Sequence, residues 1–320
     1  MGVYSREILR GLPELHPEAD YLFCYRAHRY LRAPRQHRAL LTSFWPRRLD
    51  LFHSLNQRVD GRHYRHAVAT FHDLFVLTAE YSTEDFRQRF AAQARQAAQR
   101  SDLVIAVSQF TASQVERLLG FPRERIRVIP HGVRRPASVQ PGSAREKLIL
   151  FVGAIQVRKN VARLVRAFEA VPSGWKLVLA GSYGYGAEQA IDAVSRSRRR
   201  NDIVLTGYVT ADELESLYQR AAVFAFPSLD EGFGMPVLEA MAHGIPVLTS
   251  NGSALREIAG DAALLVDPQH EESIAEGLRC LVQDEELRRQ FTAKGLHRCS
   301  GFSWSATVDQ TWRTYRELLP

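Results

Sequence analysis

The sequence predicts an α/β protein of two Rossmann-like domains facing a cleft, and three observations carry that expectation. Short apolar runs alternate with amphipathic helical segments through both halves of the chain, the pattern of strand–helix–strand units around parallel sheets. A stretch rich in Pro, Ser and Gly at residues 136–143 separates the halves. The 320 residues give each half enough chain to bury its own core. The expected division is 1–136 for the first domain, 145–300 for the second and 301–320 for a terminal helix.

In chain order, residues 5–16 read as an amphipathic helix with Ile8, Leu9, Leu12 and Leu15 on one side. A Rossmann-like domain ordinarily begins on a strand, so the first strand of this domain is expected to be missing. Residues 21–25, 49–53 and 67–71 read as strands, the last running into His72-Asp73-Leu74. Residues 83–100 form a helix with Thr83 as its N-cap. A buried strand at 103–107, a helix at 111–119 and a last strand and turn at 126–133 complete the domain. Between the first two strands Arg26, Arg29, Arg32, Arg35 and Arg38 recur every three residues, followed by Phe44-Trp45-Pro46. Residues 1–140 hold 22 Arg and no Lys against 13 acidic residues, whereas the remainder holds 20 basic and 22 acidic. The whole excess of the +7 net charge therefore sits in the first domain. That domain is expected to meet an anionic surface or acceptor, with peripheral membrane contact through the arginine series. A solvated arginine-rich face is the alternative.

The second domain opens on a strand at 148–152, then Gly153 and the pair Arg158-Lys159 before a helix. Cations sit poorly at the positive end of a helix dipole unless an anion joins them, so this pair suits a pyrophosphate. Strands follow at 176–180 and 203–209, the first leading to a loop with glycines at 181, 184 and 186. Thr210 to Glu213 forms a capping box. Residues 223–226 are a short buried strand that Pro227 ends, and a loop with Gly232 and Gly234 feeds a helix opened by Pro236. Free amides at that helix start favour an anion. Glu231 on the loop and Glu239 in the first helical turn flank it as acceptors for sugar hydroxyls. Phosphate-binding amides between two hydroxyl-binding carboxylates describe a nucleotide-sugar site. A strand at 246–249, a turn at 251–253, a strand at 263–266 and helices at 271–282, 285–294 and 306–318 follow. The last carries Trp304, Val308, Trp312 and Tyr315 at helical spacing.

Glu231 and Glu239, seven residues apart within EGFGMPVLE, resemble the E-x7-E signature of retaining glycosyltransferases of family 4. The continuation HGIPVLTSNGSALREIAGDAALLVDP is similar to mannosyltransferase-like members of that family. The resemblance implies the GT-B fold and transfer of a hexose from a nucleotide diphosphate sugar with retained anomeric configuration. Under it, Glu231 and the Phe233-Gly234 backbone hold the sugar, Glu239 holds the ribose hydroxyls, and Met235 and Val237 complete the donor side. Gly153 to Asn160, VGxxxxRKN with the preceding Val152, is similar to the family's phosphate-binding segment. Arg158 and Lys159 would stabilise the departing diphosphate, with Ala154 standing where some members have a further arginine. His72 matches the family's HD segment, facing the cleft at a strand's carboxyl end. Gly207-Tyr208-Val209 would lie near the nucleotide base. VIPHGV closes the first domain, with Arg134 where an aspartate usually stands, and the terminal helix would cross back to that domain. Met1 to Tyr4 resembles the tail of the glycine turn that follows the family's first strand. Its absence leaves a second reading, a nucleotide-sugar-binding protein or inactive paralogue.

No cofactor is expected and no metal, since no D-x-D motif is apparent and the basic pair replaces a cation. The favoured donor is GDP-mannose, with UDP-glucose and its relatives open. The acceptor is expected to be a glycan or lipid-linked oligosaccharide of cell-surface polysaccharide synthesis. A dehydrogenase would want G-x-G-x-x-G, a Walker loop would want G-K-[ST], and neither is found. Basic charge without a recognition motif argues against specific nucleic-acid binding. Cys24, Cys280 and Cys299 lie far apart, which excludes a disulfide framework and fits a cytoplasmic protein, at most peripheral to the inner face of a membrane. No apolar stretch reaches membrane-spanning length and no signal peptide is apparent.

Overall fold

A computed structural model describes residues 2–25, 30–31, 38–41, 49–136 and 145–319. Arg26, Arg29, Arg32, Arg35 and Phe44-Trp45-Pro46 fall outside the described residues, as does the expected linker from residue 137 onward. Arg38 falls within them. Its guanidinium lies over the Tyr30 ring at 4.5 Å and donates to the Tyr30 carbonyl at 3.1 Å.

The first domain is built on a four-stranded sheet. Its strands β3 (Phe52–Ser54), β4 (Ala67–Phe71), β5 (Leu103–Ala106) and β6 (Ile126–Val128) are all parallel and lie in chain order. β4 and β5 are buried at every position, which is why they read as unbroken apolar runs. A separate parallel pair, β1 (Phe23–Tyr25) and β2 (Arg38–Leu40), stands beside it. β2 was not expected, because Arg-Ala-Leu carries no strand pattern. The helices are α1 (Val3–Leu15), α2 (Glu84–Arg100) and α3 (Gln109–Leu119). α3 begins two residues earlier than the pattern suggests, because Ser108 caps it by accepting from the Thr111 amide at 3.0 Å. β6 stops well short of residue 133, since Pro130 has no amide for the ladder.

The second domain holds a six-stranded parallel sheet of β7 (Glu146–Val152), β8 (Lys176–Ala180), β9 (Ile203–Gly207), β10 (Ala221–Phe226), β11 (Val247–Ser250) and β12 (Leu264–Val266). The spatial order is β12-β11-β10-β7-β8-β9, the doubly wound arrangement in which the chain reverses direction between β7 and β10. Ligands bind outside the carboxyl ends of strands at such a switch point. The residues after β7 and after β10 therefore share one crevice. Its helices are α4 (Val161–Phe168), α5 (Ala187–Arg196), α6 (Ala211–Arg220), α7 (Met235–Ala242), α8 (Ser253–Ala259), α9 (Glu271–Gln283) and α10 (Glu285–Cys299). The capping box at α6 forms as the sequence predicts. α8 was not expected, and α10 runs five residues beyond the expected end.

The last helix, α11 (Trp304–Arg316), packs against α1 and the first sheet. Gly11 lets the two helices meet: a Cβ there would stand 2.6 Å from Val308 Cγ2. Thr307 Oγ1 donates to the Pro130 carbonyl at 2.7 Å, and Arg127 pairs with Glu317. Among the described residues no helix is long and apolar enough to cross a membrane.

Candidate active site

Pro227 ends β10 at the switch point, and the loop behind it turns back toward the end of β7. There Val157–Lys159 makes one 3-10 turn, and Asn160 adopts a left-handed conformation (φ 61°) that an Asn tolerates. Its amide donates to the carbonyls of Pro227 at 3.0 Å and Pro268 at 2.7 Å, stitching the two segments together. The turn aims both cations at one carboxylate. Lys159 Nζ lies 2.5 Å from Glu231 Oε1 and Arg158 Nη1 lies 2.9 Å from Oε2. Ser228 Oγ also donates to Oε1, at 2.7 Å. All three charged residues are at most 8% exposed. Burial pushes the Glu231 carboxyl up, but the charges of Lys159 and Arg158 overcome it and hold the group below the usual range. Phe75 and Phe226 complete the cation shell, at 4.0 Å from the Arg158 guanidinium and 4.6 Å from Lys159 Nζ.

Two more carboxyls border this centre. Asp230 accepts from Thr78 Oγ1 of the first domain at 2.9 Å, while its Oδ1 is buried without a partner. Arg158 Nε is buried and unpartnered too. Buried polar atoms are ordinarily hydrogen-bonded, so this donor and this acceptor stand out beside the charged centre. Burial raises the Asp73 carboxyl to about 6, with Arg158 drawing it down and Glu231 and Asp230 pushing it up. Its ordinary value is 3.8, so the folded protein holds this proton more tightly than the unfolded chain. The favourable contribution is complete below pH 4 and is lost as pH rises through about 6, a difference of about 3 kcal/mol. Asp73→Asn is therefore expected to raise the melting temperature at pH 7.5 and leave it unchanged at pH 4, which calorimetry at the two pH values checks.

Gly234 starts α7 in a left-handed conformation (φ 111°) that favours glycine, and Pro236 occupies the second helical position. Glu239 consequently sits in the second turn, not the first. Its Oε2 accepts from the Tyr218 hydroxyl at 3.1 Å, and burial raises its carboxyl above the ordinary value. Met235 is half-buried beside the loop. Val237 departs from expectation: its side chain is fully buried in the core and its amide is spent on the Gly234 carbonyl at 3.0 Å, so it offers nothing to a donor. Gly153 lies at the end of β7 beside the Lys159 chain. Gly207 ends β9, and Tyr208 beyond it is 83% exposed, projecting into solvent.

The His72 side chain is placed differently from the expectation. Nε2 donates to the Leu55 carbonyl at 2.9 Å, which leaves Nδ1 as the acceptor facing His131 Nε2 at 3.3 Å. Both nitrogens are thus used inside the protein, and burial keeps both rings neutral by lowering their pKa values. Its backbone carbonyl is what meets the loop, at the position where a Cβ on Gly232 would stand 1.8 Å away. His131 packs edge-on against Phe233, centroids 4.8 Å apart, and Tyr4 and Trp304 close the cluster. Phe233 is accordingly buried. Sequence reasoning missed His131, Asp73, Asp230, Tyr218 and Phe75. Three of these carried a local signal: Asp73 is the second residue of the HD segment, His131 lies in VIPHGV and Asp230 adjoins Glu231.

The loop is held from both sides. The Gly232 carbonyl accepts from Ser108 Oγ at 2.7 Å and Thr111 Oγ1 at 3.0 Å. Glu257 of α8 in turn accepts from the Gln109 and Phe110 amides at the start of α3, at 2.9 and 3.1 Å.

Comparison with known proteins bears on this geometry. A family model described as Glycosyltransferase Family 4 matches residues 4–135, and one described as Glycosyl transferases group 1 matches residues 135–298. The O-antigen chain mannosyltransferase B of Escherichia coli is 33% identical over 271 residues, covering 79% of this chain and 70% of that protein. The serotype-specific mannosyltransferase WbdA of Escherichia coli is 30% identical over 239 residues, 69% of this chain but only 29% of its own length. Among solved structures, WaaG, a glycosyltransferase involved in lipopolysaccharide biosynthesis, superposes with a TM-score of 0.74 at 15% identity, over 97% of this chain and 95% of that one. Sucrose-phosphate synthase from Thermosynechococcus elongatus gives 0.69 at 25% identity, over 80% and 69%. With two family models abutting at residue 135 and the doubly wound second domain beneath its E-x7-E loop, the chain belongs to the GT-B glycosyltransferases of family 4, among their mannosyltransferase-like members.

Proposed function

We propose that this glycosyltransferase moves a hexose, with mannose favoured, from a nucleotide diphosphate sugar to a glycan or lipid-linked acceptor with retention of configuration. The observation that carries the reading is the buried Arg158–Lys159–Glu231 centre at the switch point between β7 and β10. The bond from the anomeric carbon to the diphosphate oxygen breaks, and the acceptor oxygen forms the new bond on the same face. The acceptor's proton passes to the departing diphosphate. Arg158 and Lys159 take up the charge developing on that group, the task a divalent metal performs elsewhere, so no metal or other cofactor is part of the reading. Glu231 exchanges its cations for the sugar as the diphosphate arrives, and Glu239 accepts from the ribose. GDP-mannose as donor is supported by the likeness to O-antigen mannosyltransferases, and the positive first domain suits an acceptor carried on an anionic lipid surface.

A thermal-shift titration of the full chain with GDP, UDP and their sugars tests this. Saturation at about 100 times Kd adds about 2.7 kcal/mol of stability. Glu239→Ala is expected to weaken nucleotide binding about 10-fold, the loss of a charged hydrogen-bond acceptor for the ribose. The absence of any shift in the wild type would sink the proposal.

A further inference from the structure

Glu239 is held by more than its own helix. Tyr218 of α6 is 2% exposed, and its hydroxyl donates to Glu239 Oε2 at 3.1 Å. The ring is stacked on His243, centroids 4.6 Å apart and 18° between planes. His243, just after α7, is itself fixed at both nitrogens. Nδ1 donates to the Glu239 carbonyl at 2.7 Å, and Nε2 lies 2.9 Å from Glu215 Oε2, one turn before Tyr218 on α6. Arg145 locks the backbone of both residues, donating to the Tyr218 carbonyl at 2.8 Å and the His243 carbonyl at 2.5 Å. Among the described residues nothing bonds Glu239 Oε1.

We propose that Tyr218 is a positioning residue for the donor: its hydroxyl fixes the Glu239 carboxylate so that Oε1 is presented to the ribose in a set direction. This rests on the reading of Glu239 as the ribose acceptor given above. A carboxylate on a flexible stem loses rotamer freedom when it binds a diol, and a partner that has already fixed it removes that cost. Charge points the same way. Burial pushes the Glu239 carboxyl up, and Tyr218 and His243 draw it back. Burial also raises the Tyr218 phenol well above its ordinary value, so it stays a donor throughout the working range. Glu215 is pushed up by burial too, but the contact to His243 more than offsets that.

The charged and titratable groups facing Glu239 are then Tyr218 from α6 and His243 from the end of α7, with Glu215 behind His243. Removing the Tyr218 hydroxyl takes away a bond made to the ionised form, so the carboxyl titrates at higher pH. Ribose binding, which needs the ionised acceptor, is then lost earlier as pH falls.

The test is Tyr218→Phe in the full chain, titrated calorimetrically from pH 5 to 8 with GDP, UDP and their 2′,3′-dideoxy forms. Expected is a loss of about 10-fold in affinity for whichever parent nucleotide binds, with the acid limb of its binding curve moved to higher pH and the dideoxy form unaffected. Equal weakening of parent and dideoxy nucleotides makes Tyr218 merely structural and overturns the proposal, as does an unchanged affinity for both. A wild type that binds neither nucleotide fails earlier and visibly, taking the reading of the site and this proposal with it.

Discussion

Lys159→Met is expected to lower the rate of sugar transfer by about 10²–10³-fold, read as nucleoside diphosphate released from the donor. The size follows from where the charge sits. Lys159 is 8% exposed, so its ammonium acts in a medium that screens little, and among the described residues it is one of two cations contacting Glu231. The substitution also costs stability, since among the described residues Glu231 then keeps Arg158 and Ser228; breaking a buried pair costs about 3–5 kcal/mol. The melting temperature must therefore be measured alongside. A folded variant that retains a third or more of wild-type turnover would remove Lys159 from the chemistry.

Glu231→Gln separates two roles that the structure superimposes. Glu231 engages both cations in this structure, as a phosphate would. The amide keeps the shape and the Ser228 bond but gives up the charge that holds Lys159 and Arg158. Transfer is expected to fall about 10²-fold or more, from loss of the carboxylate at the sugar. Nucleoside diphosphate affinity is expected to hold or tighten several-fold, because the cations no longer have to be released. Calorimetric titration with the nucleoside diphosphate, set beside the transfer rate, gives the split. A 10-fold weaker diphosphate would place Glu231 in the diphosphate-binding framework instead.

The parts of the molecule legible in the sequence are those whose physics is local. β4, β5, β7 and β8 announce themselves as apolar runs because a parallel strand is buried on both faces. The α6 capping box is written in four consecutive residues. Glu231, Arg158 and Lys159 could be named because each stands beside a glycine-bearing turn after a strand, and the switch-point topology brings those turns together. What escaped was non-local. Nothing near Tyr218 says that its hydroxyl reaches Glu239, twenty-one residues on, and nothing near His72 says that Leu55 and His131 occupy its nitrogens. Val237 reads as a donor-side residue in one dimension and is core in three. β2 carries no apolar period, whereas α8 does bury a helical face of Ala254, Leu255, Ile258 and Ala259 that the sequence reading passed over.

One residue before Phe233, the Gly232 carbonyl takes two hydroxyls from α3 and its neighbour Ser108, while the missing side chain admits the His72 carbonyl. Asp230, on the other side of Glu231, is tied to Thr78. Drawing the two sheets apart breaks these bonds on either side of the central carboxylate. The contact between the two domains is thus made through the same loop that presents Glu231, while the ion pairs of Glu231 with Arg158 and Lys159 lie wholly within the second domain.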